Sequence, residues 1–372
     1  MQRSTFAGAA GMLALLAGLA ATPSHADIIL GHSGDLSGTS ASLTKDYLRG
    51  MTAYFDEVNR KGGIRGEKIK LVSLDDAFNP DKTVENTKAL IDQNALALVG
   101  YRGTANVQKI IPQVQAAGIP QVGNTSGAKS LRDPYVEGLF HLRASTSDEI
   151  EAAVNHAWTI GITRIAAAYQ DDAFGKEGLD ALNASLQKRG GTPVAVSPVP
   201  RGTVDVAKAI DAIHAASPQA VIFIGQSKPA AALRKGLAAK GDRPQLFVLS
   251  VASGLHGDLG EEAAGTIVTQ VVPYPFTELG NPVVREYQKT LAGREDTKFS
   301  YNSMEGFLNA KLIVMAIQKT PAPLTRAKLT ATLKSLNNED LGGFAVSYGP
   351  KNNLGSRFVA LTMIRKDGTF AR

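Results

Sequence analysis

Short apolar runs alternate along this chain with longer segments whose apolar residues recur at helical spacing. The segment 46–61 is predicted to be a helix because its apolar residues share one face. A second helix is predicted at 80–94, with Asn79 as its cap and Pro80 in its first turn. Strands are predicted at 28–32, 68–74, 96–100, 119–122, 164–169, 220–224 and 246–249. Repeated alternation of strand and helix indicates an α/β fold with parallel sheets covered by helices on both faces.

The chain begins with a segment that is typical of an export signal. An apolar stretch at 6–21 is followed by the small residues Ser24 and Ala26, which match the pattern read by signal peptidase. The stretch is too short for a comfortable membrane span, so a removed signal at 1–26 is favoured over a retained anchor. The mature protein is then expected to begin near Asp27 and to act outside the cytoplasm.

Length and composition restrict the class of protein. The chain has 372 residues, 44% of them hydrophobic, which favours a globular protein with two domains. It contains no cysteine, and this excludes a disulfide or a thiolate nucleophile. The net charge of +6 is spread along the chain beside acidic residues, so a soluble basic surface is favoured over nucleic-acid binding.

Sequence signatures of catalysis and metal binding are absent. The chain has no Walker loop, no HExxH motif and no GxSxG motif, and its histidines lack the spacing of zinc ligands. The pairs Asp75-Asp76 and Asp171-Asp172 follow strands, where adjacent side chains point to opposite faces. One member of each pair is therefore predicted to cap the following helix. We predict no enzymatic activity, no cofactor and no metal.

Two hydroxyl-rich loops, 100–106 and 123–128, follow consecutive predicted strands. In parallel sheets ligands bind beyond the carboxyl ends of the strands, where such loops gather. Thr104 in the first loop and Thr125 and Ser126 in the second offer hydroxyl and backbone N–H groups to an anion, above all a carboxylate. The alternative is that these three residues only cap helices. Two such loops in successive units favour a shared binding site.

Several segments resemble the branched-chain amino acid-binding proteins, which are periplasmic receptors of ABC importers. The most specific is the glycine-rich segment 59–66, Asn-Arg-Lys-Gly-Gly-Ile-Arg-Gly. The supporting segments are 27–38, Asp75-Asp76 with Pro80, 169–175 and 203–207. The resemblance covers essentially all of the chain after the signal. It implies the type I periplasmic binding protein fold, in which two Rossmann-like lobes are joined by three crossing strands and the ligand lies between them.

The resemblance also implies domain boundaries. The signal occupies 1–26, the first lobe 27–144 plus 273–352, and the second lobe 145–272 plus 353–372. Limited crossing between lobes with separate cores makes hinge closure the expected motion.

Carried over position by position, the resemblance implies a carboxylate grip in the first lobe. The hydroxyl of Thr104 contributes to this grip, and Thr125, Ser126 and Gly127 complete it with backbone amides and a hydroxyl. Arg102 lies in the same loop as Thr104 and is a candidate for a bidentate contact with the carboxylate.

The resemblance places the remaining contacts around the rest of the ligand. Phe174 matches an aromatic wall of the second lobe, Gln226 matches a strand-end contact, and Leu43 takes the place of a larger aromatic residue. The acid that pairs with the ligand ammonium in amino-acid binders is expected near Ser250 or Val251, and neither residue is acidic.

A buried ammonium needs a compensating charge or several good acceptors. Asp172 or Glu305 supplies that charge, or the ligand has no ammonium. Arg143 lies near the first crossing between the lobes, where a structural hinge contact is predicted.

The predicted function is that of a non-enzymatic, monomeric receptor that delivers a small carboxylate to an ABC permease in the inner membrane. A sensory protein that binds the same kind of ligand and reports to a signalling receptor is the alternative. An enzyme is less favoured, because the chain has no recognisable nucleophile–base pair. Amino acids, aromatic carboxylates and other small organic acids all fit the predicted site.

Overall fold

The structure is a computed structural model that describes residues 27–277 and 280–372. The predicted export signal at 1–26 lies outside the described residues. The strands are β1 (Ile28–Gly34), β2 (Ile69–Asp75), β3 (Ala97–Val99), β4 (Gln121–Val122), β5 (Leu139–Phe140), β6 (Ile165–Gln170), β7 (Val196–Val199), β8 (Ala220–Ile224), β9 (Gln245–Val248), β10 (Ile267–Gln270), β11 (Glu339–Asp340), β12 (Ala345–Val346), β13 (Ala360–Ile364) and β14 (Phe370–Ala371).

Helices separate most of these strands. The α-helices are α1 (Ala41–Arg60), α2 (Pro80–Asp92), α3 (Thr104–Ala116), α4 (Thr146–Thr159), α5 (Ala173–Gln187), α6 (Ala207–Ala216), α7 (Ser227–Ala239), α8 (Leu255–Leu259), α9 (Pro282–Leu291), α10 (Tyr301–Lys319) and α11 (Arg326–Ser335). Short 3-10 turns lie at Lys129–Leu131, Ser250–Ala252 and Gly260–Ala263. Within the described ranges, no helix combines the length and the apolar character that a membrane crossing requires.

The first sheet has the strand order β2-β1-β3-β4-β5, and every pairing in it is parallel. All of its carboxyl ends therefore lie at one edge. Strands β3 and β4 are neighbours, with Val99 opposite Val122. This register places the two hydroxyl-rich loops that follow these strands side by side.

The second sheet has the strand order β14-β13-β10-β9-β8-β6-β7. Strands β6 to β10 pair in parallel, whereas β13 and β14 are antiparallel additions at one edge. The first sheet takes strands from before 144, and the second takes strands from 165–270 and from the C-terminal segment. This membership supports the proposed lobe boundaries, which remain a proposal.

Local sequence explains how several helices begin. Helix α2 begins at the predicted cap, because the side chain of Asn79 accepts a hydrogen bond from the amide of Asp81 at 2.8 Å. Helix α5 begins after Asp172, which accepts from the amide of Gly175 at 3.1 Å. The prediction of a helix cap is confirmed for the pair Asp171-Asp172.

Helix α1 begins at Ala41, five residues before the predicted start, in a segment where Leu43 is buried by tertiary packing.

The other acidic pair does not cap a helix, and that prediction was wrong. Asp75 accepts from the amide of Leu36 at 2.8 Å, and Asp76 accepts from the amide of Phe78 at 2.9 Å. Three loop residues separate this pair from α2, so the carboxylates bind the loops instead.

Helices α1 and α10 pack closely through two glycines. A Cβ atom on Gly50 would collide with the carbonyl group of Ser303, and one on Gly306 would collide with the carbonyl oxygen of Tyr47. Each helix therefore leaves space for the backbone of the other. This contact joins the segment after 273 to the helix that covers the first sheet.

We expect Gly50→Ala to lower the free energy of unfolding by about 1–3 kcal/mol, because the added methyl group forces the two helices apart. Gly257→Ala in α8 is the control, since a Cβ there meets no atom within 4 Å. Urea denaturation measures both variants. If the parent and the Gly50 variant have the same free energy of unfolding, α1 and α10 can move apart without loss of stability.

Candidate functional site

A cavity lies where the carboxyl ends of strands from both sheets face each other. The lining residues are Phe78, Arg102, Gly103, Thr104, Thr125, Ser126, Gln170, Asp172, Phe174, Gln226 and Val251. The residues from Arg102 to Ser126 in this set lie in the segments that follow β3 and β4. Gln170 ends β6, and the remaining residues from Asp172 onward follow β6, β8 and β9. The cavity volume is about 20 Å³, close to the space needed by one water molecule. A larger ligand enters only when the two sides move apart.

The two hydroxyl-rich loops meet in this cavity. Thr104 and Ser126 share a hydrogen bond of 2.7 Å between their hydroxyl groups. Thr104 is the first residue of α3, so the N-terminus of a 13-residue helix adjoins the cavity. Helix N-termini favour anions because their amide groups and dipole point outward. The hydroxyl pair and the helix end together offer hydrogen bonds to an anionic group.

The alternative that Thr125 and Ser126 cap an α-helix is wrong, because the second loop does not lead into one. It leads only to the 3-10 turn Lys129–Leu131. Ser126 accepts from the amide of Ala128 at 3.2 Å, while the carbonyl of Ser126 accepts from Arg132 at 2.9 Å. The loop is therefore held by hydrogen bonds of its own and by a buried arginine.

Arg102 is a buried cation on the wall of the cavity, with 4% of its surface exposed. Its Nη1 atom donates to the hydroxyl of Thr125 at 3.4 Å. Its Nε and Nη2 atoms have no hydrogen-bond partner among the described residues. Burial lowers the pKa of Arg102 to about 10, so the side chain still carries its charge at pH 7. The Nε and Nη2 donors of this buried cation are therefore available to an anion in the cavity.

Asp172 is the one acid among the described residues that line the cavity, and its oxygens are already engaged. One oxygen accepts from the amide of Gly175. The other accepts from Gln170 at 2.6 Å and forms an ion pair with Nε of Arg201 at 3.1 Å. This carboxylate is therefore neutralised by the protein itself.

A buried ionic cluster lies behind the cavity, around Arg143. Its guanidinium forms an ion pair with Glu149 at 3.0 Å, donates to the carbonyl of Thr125 at 2.8 Å and lies 3.5 Å from Glu305. It also donates to the hydroxyl of Ser250, whose amide donates to Glu149 at 2.9 Å. Burial raises the pKa of the Glu305 carboxyl above its usual range. These contacts of Arg143 are structural, and the hinge role predicted for this residue stays a prediction.

Three of the predicted site residues do not line the cavity. Ser250 is bound into the cluster around Arg143. Leu43 is buried against Gly254 and lines a separate groove. Gly127 packs on the backbone of Thr146, whose amide donates to the Gly127 carbonyl at 2.8 Å. The other predicted residues, Arg102, Thr104, Thr125, Ser126, Phe174 and Gln226, are brought together in the cavity.

Sequence reasoning missed four lining residues: Phe78, Gly103, Gln170 and Val251. Gln170 ends strand β6, and Phe78 lies in the loop after β2. Their positions at or after the carboxyl ends of strands could have indicated that they line the site. From the sequence, Val251 was expected only to stand where amino-acid binders have the acid that pairs with the ligand ammonium.

Polar contacts join the two sides of the cavity. Arg201, from the loop after β7, donates to the amide oxygen of Asn106 in α3 at 2.7 Å and lies 4.0 Å from the ring centre of Phe78. On α5, the carboxylate of Glu177 accepts from the amide of Ser130 at 2.9 Å and from its hydroxyl. These contacts hold the two sides together in the present arrangement.

The described part of the chain contains no cluster of three or more acidic or histidine side chains that could hold a metal ion. The donors around the cavity are hydroxyl, amide and guanidinium groups, which suit an organic anion better than a metal.

Comparison with known proteins agrees with this architecture. A sequence model of the periplasmic binding protein family matches residues 27–369. An amino acid binding protein from Pseudomonas aeruginosa is 29% identical over 224 residues, which are 59% of this chain and 59% of that relative. A protein from Brucella suis named Leu/Ile/Val-binding protein homolog 7 is 25% identical over 381 residues, covering 97% of this chain and 94% of the relative.

A solved structure shows the same fold. The substrate-binding periplasmic protein from Ralstonia solanacearum is 33% identical, with a TM-score of 0.87 over 92% of this chain and 99% of that chain. The predicted two-lobed type I fold and the predicted resemblance are confirmed. This chain belongs to the periplasmic binding protein family.

Proposed function

We propose that the protein is a non-enzymatic periplasmic receptor that captures a small carboxylate-bearing ligand and delivers it to an ABC permease in the inner membrane. The observation that carries this proposal is a cavity lined from both lobes, with Arg102, Thr104 and Ser126 on one side and Phe174 and Gln226 on the other. A ligand that contacts both sides favours the closed form, which a permease can distinguish from the open form. The names of the relatives, which are substrate-binding proteins, support this class of function.

The proposed site separates anchoring from selection. Thr104, Thr125 and Ser126, with Arg102 beside them, hold the carboxylate. Phe78, Phe174, Gln226 and Val251 contact the rest of the ligand. Leu43 and Ser250 act on the ligand indirectly, through packing against Gly254 and through the cluster around Arg143. Gly127 contributes by allowing its loop to approach α4.

A sensory role is the second candidate, because the same site and closure would serve a signalling receptor. The protein is proposed to act as a monomer after removal of residues 1–26.

Two measurements test the main proposal. Mass spectrometry identifies the molecule retained through purification, which must be unchanged in a receptor. Reconstitution with the permease encoded beside its gene must then give ATP hydrolysis that depends on the ligand. If the ligand-loaded protein stimulates no ATP hydrolysis, the sensory role is favoured.

Thr104→Ala is expected to weaken the binding of every carboxylate ligand by about one to two orders of magnitude. The variant loses a hydrogen bond to a charged group, worth about 1.5–3 kcal/mol. Isothermal titration calorimetry with two different carboxylates measures the loss, which must be similar for both. Thr163→Ala is the control, because Thr163 is exposed before β6, at the end of that strand opposite the cavity. Unchanged affinity in Thr104→Ala would place the carboxylate grip elsewhere.

Glu177→Ala is expected to weaken all ligands by about two- to tenfold, because hydrogen bonds worth about 0.5–1.5 kcal/mol between the lobes are lost. The variant must also have a larger radius of gyration in small-angle X-ray scattering. Asp180→Ala is the matched control, since it removes the same charge from an exposed position of α5. If Glu177→Ala and Asp180→Ala behave alike, the contact with Ser130 does not stabilise the closed form.

A further inference from the structure

The polar groups around the cavity are unequally satisfied. Arg102 is a cation with free donors, since its Nε and Nη2 atoms have no partner among the described residues. Asp172, the acid among the described lining residues, has both oxygens engaged. The cavity therefore offers an unsatisfied positive charge and no free carboxylate.

Two other buried acids, Asp35 and Asp76, are also engaged. Asp35 accepts from the amides of Gly38 and Ser40, and Asp76 accepts from Phe78 and Thr83. Neither acid lines the cavity.

The Oε1 atom of Glu305 has no hydrogen-bond partner within the described ranges. This atom lies 3.5 Å from Arg143, and Glu305 is not among the described residues that line the cavity. Its carboxylate interacts electrostatically with both Arg143 and Arg102. An ammonium in the cavity would therefore lie beside a buried arginine and would have to compete with two arginines for this acid.

The far side of the cavity has a neutral acceptor. The amide oxygen of Gln226 is buried and finds no partner in the described part of the chain. One amide oxygen suits a hydroxyl or another neutral donor, but it does not compensate for the desolvation of a full positive charge. Phe78 and Phe174 supply the apolar surface on either side.

We propose that the ligand is a carboxylate without an ammonium group, and that its carboxylate binds Arg102 together with the hydroxyls of Thr104 and Ser126. This inference rests on the proposed function and names the class of ligand. A zwitterionic amino acid is disfavoured because it has no net charge. The positive charge of Arg102 would then remain uncompensated when the amino acid is bound. A desamino or 2-hydroxy acid instead brings one negative charge to Arg102, the one cation among the described residues that line the cavity.

Matched ligand series test the proposal. Leucine, 4-methylpentanoate and 2-hydroxy-4-methylpentanoate share a carbon skeleton, as do phenylalanine, 3-phenylpropanoate and 2-hydroxy-3-phenylpropanoate. Calorimetric titration is expected to give at least tenfold tighter binding of a desamino or hydroxy acid than of the amino acid in one series or both. Tighter binding of the amino acids in both series would overturn the proposal.

Arg102→Met tests the role of the charge. We expect this variant to lose at least tenfold in affinity for the preferred acid and to keep or raise its melting temperature without ligand, because an unpaired buried charge has been removed. Arg164→Met, at the exposed start of β6 and away from the cavity, is the control. Unchanged affinity in Arg102→Met would overturn the proposal. A lower melting temperature would also overturn it, since Arg102 would then pair with Glu305 inside the protein.

The carboxamides of the same acids distinguish failure of the ligand class from failure of the proposed function. If the amides bind as tightly as the acids, carboxylate anchoring is wrong and the proposed function falls with the inference. If acids and amino acids bind equally well and amides bind poorly, the protein is still a receptor for carboxylates. Only the proposal that the ligand has no ammonium group is then refuted.

Discussion

The ion pair between Arg143 and Glu149 holds the two halves of the molecule in register. Arg143 precedes α4 and Glu149 lies within it, and both side chains are about 2% exposed. From this pair hydrogen bonds reach Thr125, after β4 of the first sheet, and Ser250, after β9 of the second, and Glu305 of α10 lies beside it. A buried ion pair contributes little net stability, because desolvation offsets the attraction. What it contributes here is a defined position for each element that surrounds the cavity.

That cluster also determines the electrostatics of the cavity. Two of the nearby buried arginines, Arg132 and Arg143, are occupied by backbone carbonyls and carboxylates. Arg102 is left with one long hydrogen bond, to Thr125, among the residues that the structure describes. The same buried network that orders the hydroxyl loops therefore leaves one guanidinium facing the cavity. Cation and hydroxyls then lie together because separate strands of one parallel sheet deliver them to the same edge.

Closure depends on small contacts in addition to this cluster. Arg201 binds across the cavity to Asn106, and Glu177 binds across it to Ser130. Each contact is partly exposed, and hydrogen bonds of this kind contribute little individually. The cavity between them is narrow, so a ligand enters while these contacts are open, and the contacts can form again around the bound ligand. A receptor whose closing contacts are individually weak can release them when a ligand enters or leaves.

The amino-acid sequence by itself determined the alternation of strands and helices, the cap at Asn79 and the two hydroxyl loops, because these depend on short-range pattern. It also placed Thr104 and Ser126 in one site, since neighbouring parallel strands bring consecutive loops together. Tertiary structure alone decided that Leu43 and Ser250 lie outside the cavity while Phe78 and Val251 line it. The orientation of these side chains depends on how two distant lobes meet, and on which buried polar groups find partners in the other segments of the chain.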